Sequence, residues 1–319
     1  MRTVALAGTD LTPSRLGFGS AALMARLGRR ESVRLLEVAQ DRGITHFDTA
    51  RAYGYGEAES ALGEFLSRHR DGVTVTTKLG IVPPRTSQAM RGAKAVARVT
   101  ARLVPGVRPL LRRRAQSMGQ TGAFTPTAAR SSLETSLREL RIETVDILLL
   151  HECGLDDVRT GGLLEFLEQA VDEGKVRYFG VATDRDSTAA ILAERPEFAR
   201  VVQVRQTVAD DPLPEPPGVA ILTHSAVAPL LRPLAEALRD QGRRRRWSDE
   251  LGFDCARPDA LARLLLASAL DANPRGVVLF SSTDEQRIRS NAALGDCETF
   301  TPEQLRTFAR LAREAAAGT

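Results

Sequence analysis

Phe47-Asp-Thr-Ala-Arg-Ala-Tyr-Gly-Tyr-Gly-Glu-Ala-Glu-Ser-Ala-Leu-Gly63 joins a strand end to a glycine-rich turn and then to a helix. Asp48 closes the strand, Tyr53 stands five residues beyond it, and a small-residue pattern suited to a helix follows. A strand that hands over to a helix through a short polar turn is one βα unit. The question is how many such units the chain holds.

Short β-branched runs recur along the sequence, each followed by an amphipathic stretch of ten or more residues. Leu16 to Gly19 and Thr45 to Asp48 read as the first two strands, with a helix from about Glu31 to Arg42 between them. Val73 to Lys78 is the third, and Val145 to His151 is an apolar run suited to a strand buried on both faces, preceded by a helix over Pro126 to Leu140. Val176 to Val181, Val201 to Val204, Val219 to Thr223 and Gly276 to Leu279 make eight. Eight strands in βα order predict an α/β fold closed as a (β/α)8 TIM barrel, because a doubly wound sheet normally opens with a glycine-rich phosphate loop that is absent here. The whole chain, 1–319, is expected to form a single domain with a long basic insertion at about 80–125.

Composition narrows the class. With 43% hydrophobic and 26% charged residues the chain has the make-up of a globular protein, and no apolar run is long enough for a membrane span. The apolar stretch before Thr9 and Asp10 is too short for a secretory signal, so a cytoplasmic location is expected. Cys153, Cys255 and Cys297 lie far apart, matching neither a disulfide framework nor a metal-binding spacing; they read as reduced, and no metal is expected. Between Ile81 and Ser132 there are ten Lys or Arg and no acidic residue, leaving 34 basic against 40 acidic groups elsewhere. That stretch has one aromatic, Phe124, and no recognition motif, which argues against nucleic acid. Ala89 to Leu103 suits either a solvated helical insertion or a basic cap over a pocket; a cap would favour an acidic or phosphorylated substrate. Arg243 to Arg246 reads as an exposed cluster in a connection. Oligomeric state is not legible.

In a barrel of this kind, chemistry sits at the C-terminal ends of strands. Asp48, Lys78 and His151 each close a different strand, and Tyr53 follows one. Protonating an alkoxide as hydride reaches a carbonyl carbon needs an acid that stays protonated near neutrality yet releases its proton. Tyrosine, whose phenol ordinarily titrates at about 10, needs help. A lysine ammonium favours its phenolate, a carboxylate orients the lysine, and a histidine donates to the carbonyl oxygen. Each residue alone has a plain structural explanation, as a buried ion pair, a packing tyrosine or a core histidine.

These four stand in motifs that resemble the aldo-keto reductases: Phe47 to Gly63, Val75-Thr-Thr-Lys78 and Asp146-Ile-Leu-Leu-Leu-His151. Ser132-Leu-Glu-Thr-Ser-Leu-Arg-Glu-Leu140 and Gly174-Lys-Val-Arg-Tyr-Phe-Gly-Val181 extend the likeness, which is most specific between residues 43 and 182. The resemblance implies an NAD(P)H-dependent oxidoreductase acting on a small-molecule aldehyde or ketone, or the corresponding alcohol. Asp48, Tyr53, Lys78 and His151 would be catalytic. It further implies cofactor contacts from Gly19, Asp48, Thr183, Gln203, His224, Ser281, Ser282, Thr283, Arg287 and Asn291. Arg287, matching a position that grips the adenosine phosphate, favours NADPH, with NADH possible.

Several departures accompany the match. The strand normally ending Gly-Val-Ser-Asn ends Gly180-Val-Ala-Thr183, and Val204 and Arg205 beside Gln203 differ from the family pattern. A stacking tyrosine is replaced by His224, and Phe280-Ser281 stands for a Pro-Gly or Pro-Lys pair. Glu152 follows His151 where many family members place an aromatic, implying a more polar wall. The alternative is a degenerate barrel acting as a binding or auxiliary protein, or as a non-redox enzyme.

Overall fold

The computed structural model describes residues 1–82, 124–211, 216–296 and 299–317. Eight parallel strands close into a barrel in chain order: β1 (Leu16–Gly19), β2 (His46–Asp48), β3 (Thr74–Leu79), β4 (Val145–His151), β5 (Val176–Ala182), β6 (Val201–Arg205), β7 (Ala220–His224) and β8 (Val277–Phe280). The ring shuts through β1 against β8, with Gly17 opposite Leu279. The helix Pro126–Leu140 lies where the sequence periodicity puts it, the first long helix runs Arg29–Asp41, and the last runs Pro302–Ala317. Most of the basic insertion, including Ala89 to Leu103 and Arg112 to Arg114, lies outside the described residues, as does Cys297.

Side-chain alternation explains both faces of the wall. On β2, Phe47 faces out and meets Phe65 of the helix Ala58–His69, ring centroids 4.9 Å apart. Such a pair adds about 0.5–1.5 kcal/mol beyond its burial. The opposite parity fills the lumen with Ile147, Leu149, Ala182, Val201, Leu222, Val277 and Leu279, all buried in one cluster. Leu6 and Leu11 join that cluster from an N-terminal turn, closed by the Leu6 N–H bond to the Leu11 carbonyl (3.0 Å) and a Thr3–Ser14 bridge. The strand N-termini are thus plugged, which leaves the C-terminal rim as the accessible end.

Asp146, at the start of β4, serves the plugged end. Its buried carboxylate accepts from Val75 N–H, Arg70 and Arg177, each at 2.9 Å. Three donors compensate its lost hydration, so the acid is structural.

Two sequence expectations are corrected. Thr45 precedes β2, which begins at His46: its carbonyl still accepts from Thr74 N–H at 2.8 Å, but its hydroxyl accepts from Ser14 N–H and its own N–H donates to Ser14 Oγ, both at 2.8 Å. Arg243 to Arg246 lie in the helix Gln241–Leu251, not in a connection. Asp240 caps that helix by accepting from Arg243 N–H at 2.7 Å. Trp247 turns inward onto Phe308 of the helix Pro302–Ala317. Arg244 pairs with Asp254, and Arg246 with Glu250 (2.8 Å) and Glu314 (2.9 Å), so half of this cluster is neutralised locally. Cys153 and Cys255 are buried free thiols, and burial pushes them up to about 12 and about 11. No helix among the described residues is long and apolar enough to cross a membrane.

Candidate active site

Three strand ends and one turn deliver Asp48, Lys78, His151 and Tyr53 to the same rim. Asp48 is in register with Thr76, and Lys78 lies two residues on, on the same face. Lys78 Nζ donates to Asp48 Oδ2 at 2.6 Å and to the Thr49 carbonyl at 2.8 Å. Both charged groups are almost wholly buried, 2% and 5% exposed, a burial tolerable only because each is paired and hydrogen-bonded.

The glycines that follow aim Tyr53. It begins a 3-10 turn, Tyr53–Gly56, anchored by its N–H to the Ala50 carbonyl at 3.0 Å. Gly54 has φ 58, and a Cβ there would come within 2.4 Å of Met24 Cβ, so both conformation and space require glycine. Behind the turn, Glu59 accepts from Thr77 Oγ1 (2.6 Å) and Arg51 (3.1 Å), locking the loop to the outside of β3. Lys78 Nζ then sits 4.9 Å from the Tyr53 ring centroid, and the His151 ring meets Tyr53 edge-on at 5.8 Å.

The electrostatics divide the roles. Burial raises the Tyr53 pKa, the Lys78 ammonium draws it down, and Asp48 raises it again; the net result is a phenol held protonated. Burial also opposes the Lys78 charge, but Asp48 and Tyr53 prevail and its pKa is raised. For His151 burial dominates, with Lys78 adding to it, and the imidazole is lowered to about 3. His151 is therefore neutral near pH 7 and carries one ring N–H.

The remaining residues from the sequence reading ring this centre. Gln203 on β6 donates to Asp48 Oδ2 at 2.9 Å. Thr183, at the end of β5, is buried with its hydroxyl 3.5 Å from Asp184. His224 ends β7; burial lowers it to about 4, and its Nδ1 lies 2.9 Å from Ser225 Oγ. Gly19 ends β1, where an added Cβ would meet nothing closer than 3.6 Å, so packing alone does not demand glycine there. After β8, Ser281 is exposed and Thr283 partly so, whereas Ser282 is buried and holds the turn through Asp284 N–H at 3.1 Å. Arg287 and Asn291 follow on the helix Glu285–Ala293, and Arg287 is exposed.

Features missed by the sequence reading include two hydroxyls at this rim. Ser20 Oγ and Thr49 Oγ1 are buried without a partner among the described residues, and Ser20 N–H donates to the Asp48 carbonyl at 2.9 Å. Unsatisfied buried hydroxyls beside the lysine–aspartate pair are open valences for a polar ligand. Together with Gln203 and a neutral, partly buried imidazole at His224, they fit a bound nicotinamide nucleotide. Among the described residues no three His, Cys, Asp or Glu side chains are grouped to hold a metal ion.

Comparison with known proteins bears on this rim. The model of the Aldo/keto reductase family matches residues 15–209, which include β1 through β6 and all four central residues. His224, Ser281 to Thr283, Arg287 and Asn291 lie beyond that match. A pyridoxal 4-dehydrogenase of Microbacterium luteolum is 40% identical over 79 residues, 24% of this chain and 23% of its own. A D-threo-aldose 1-dehydrogenase of Pseudomonas sp is 31% identical over 186 residues, 56% of this chain and 53% of its own. The chain thus spans about half the length of these relatives, or less. A crystal structure of an aldo-keto reductase from Klebsiella pneumoniae in complex with NADPH superposes with TM-score 0.65 at 22% identity, covering 98% of this chain and 96% of that one.

Proposed function

The chain belongs to the aldo/keto reductase family, and from that premise we propose that it is an oxidoreductase interconverting a small-molecule carbonyl and its alcohol with NADPH. The observation that carries the proposal is the position of Lys78 at the C-terminal rim: one buried ammonium bonded to the Asp48 carboxylate and set against the Tyr53 ring, which in turn meets the His151 ring edge-on. A purely structural ion pair has no use for a phenol and a neutral imidazole beside it, which favours an enzyme over a binding or auxiliary barrel.

Gln203, Thr183 and His224 would hold the nicotinamide end, with Ser20 and Thr49 offering their unpaired hydroxyls nearby. Ser281 and Arg287 would meet the adenosine phosphate. Bound there, the nucleotide supplies or accepts hydride. Tyr53 carries the proton that balances it, passing it to the carbonyl oxygen in reduction and taking it back in oxidation. Lys78 lowers the cost of the phenolate left behind, and Asp48 fixes Lys78 through the 2.6 Å bond. His151, neutral, donates its N–H toward the same oxygen and stabilises charge as it develops.

The named chemistry of the aldose and pyridoxal dehydrogenases supports redox work on such groups, and the NADPH bound in the Klebsiella protein supports the nucleotide. The test is carbonyl-dependent oxidation of NADPH by the purified protein. Tyr53→Phe should lose turnover by about 10²-fold or more while binding NADPH with nearly unchanged affinity. Equal turnover by that variant would refute Tyr53 as the proton donor.

A further inference from the structure

Glu59 lies in the first turn of the helix Ala58–His69, where the helix N-terminus favours a negative charge, and only 1% of its side chain is exposed. Two donors from different elements hold it. Thr77 Oγ1 donates to Glu59 Oε1 at 2.6 Å and Arg51 Nη1 to Oε2 at 3.1 Å, so each carboxylate oxygen has its own partner. An apolar residue could fill the same space without the cost of burying a charge. What the carboxylate adds is direction: two bonds of fixed length to two other elements.

Those elements carry the proton-transfer pair. Thr77 directly precedes Lys78 on β3, so its side chain lies on the outer face while that of Lys78 turns to the rim. Arg51 stands two residues before Tyr53 in the turn after β2. The same helix end also backs the phenol, since Tyr53 packs against Met24, Ala58 and Ala61. One carboxylate thus bridges the strand that carries Lys78, the turn that carries Tyr53 and the helix that supports Tyr53. Lys78 is itself held by Asp48 and the Thr49 carbonyl, at 2.6 and 2.8 Å. The 4.9 Å between its ammonium and the Tyr53 ring therefore depends on where the turn is pinned.

Resting on the carbonyl-reductase reading above, we infer that Glu59 is a positioning residue for the proton transfer: by holding Thr77 and Arg51 at once, it fixes how closely Tyr53 approaches Lys78. It acts through its two partners, from behind the barrel wall. A loosened clamp frees the Tyr53 turn to move away from Lys78, and the phenolate loses the cation that stabilises it.

The test measures kcat and kcat/KM against pH for glyceraldehyde and propanal with NADPH, NADPH affinity by calorimetry, and thermal unfolding. The proteins compared are the parent, Glu59→Gln, Thr77→Val and Thr77→Ser. Glu59→Gln keeps the shape and an acceptor for Thr77 but removes the charge that holds Arg51. Thr77→Val removes one donor and leaves the ion pair, so it decides the matter should Glu59→Gln fail to fold. Glu59→Gln should lower kcat about tenfold and Thr77→Val about threefold, with NADPH affinity within about twofold of the parent. In both, the alkaline limb of kcat/KM should move to higher pH, and Thr77→Ser, which restores the hydroxyl, should bring it back. An alkaline limb left in place, whatever the loss of kcat or thermal stability, makes Glu59 merely structural and overturns the inference while the reductase reading stands. A limb moved to lower pH overturns it equally, because that marks a phenol opened to water. A parent that oxidises NADPH with neither aldehyde removes the reductase reading and the inference with it.

Discussion

Asp48 and Gln203 are joined by a 2.9 Å hydrogen bond across the barrel, from β2 to β6, strands four places apart in a ring of eight. The same Asp48 oxygen accepts Lys78. Because a carboxylate only accepts, the bond fixes the Gln203 amide with nitrogen toward Asp48 and oxygen left for another donor. Gln203 therefore couples the proton-donor cluster to the proposed nicotinamide subsite. Replacing it with Leu should weaken NADPH binding and lower kcat/KM, each by about tenfold, the usual loss for a hydrogen bond to a charged group. Gln203→Glu should be worse than Leu, since it sets a second carboxylate against Asp48. Calorimetric titration and steady-state kinetics on the two variants check the order, and a Glu variant equal to the parent would contradict it.

Much of this was legible in the sequence, for physical reasons. Val145 to His151 reads as a buried strand because every residue between the acid and the histidine is apolar, and the structure keeps both ends of that run. Asp48, Lys78 and His151 could be grouped because strand ends share one rim once the sheet closes. The bond between Asp48 and Gln203 could not, since it depends on how far opposite strands stand apart. The left-handed turn at Glu152 was equally hidden, because glutamate carries no local signal for φ above zero. The helix around Arg243 to Arg246 gives little signal in the sequence, because its buried periodicity rests on Trp247 and Leu251 alone.

Tyr53 sets a pH dependence with opposite signs in the two directions. Its pKa is raised above the usual value by burial, so the phenol stays protonated through neutrality and above. Carbonyl reduction should be flat across the neutral range and fall only at alkaline pH, as the proton is lost. Alcohol oxidation, which needs the phenolate, should rise with pH over the same range. Lys78→Met removes the group that draws the pKa down, and should move both limbs further alkaline while cutting turnover by about 10²-fold or more. Profiles of kcat/KM in each direction decide this; limbs unmoved in the variant would mean that Lys78 does not tune Tyr53.

His46 links stability to acid pH. It is fully buried inside the barrel, with Nδ1 2.9 Å from Thr74 Oγ1 and Nε2 3.3 Å from Thr76 Oγ1, and burial lowers it to about 4. Its unfolded value is about 6.5. Between these the unfolded chain binds a proton that the folded one refuses, so stability is full above about 6.5 and declines as pH falls toward about 4. His151 and His224, lowered to about 3 and about 4, act in the same sense. His46→Gln should cost about 1–3 kcal/mol at pH 7 through imperfect bonding to the threonines, yet show a shallower loss between pH 7 and 5. Urea midpoints at the two pH values measure both, and an unchanged slope would assign the acid sensitivity to other groups.

Arg287 tests the nucleotide at its far end. It is exposed on the first turn of the helix Glu285–Ala293, and its backbone N–H, not its guanidinium, is the group that Asp284 caps at 2.9 Å. No side-chain partner for Arg287 is found among the described residues, so its planar fork is free to meet a phosphate. A 2′-phosphate is the feature that separates NADPH from NADH. Arg287→Ala should therefore weaken NADPH about tenfold, as for loss of a charge-assisted bond, and leave NADH within about twofold. Binding is best followed by calorimetry, because Trp247 is the sole tryptophan and lies buried against Phe308. Equal weakening of both nucleotides would place Arg287 on the shared pyrophosphate or adenine. No weakening of either would leave it as an ordinary surface arginine, and NADPH preference would lose its main support.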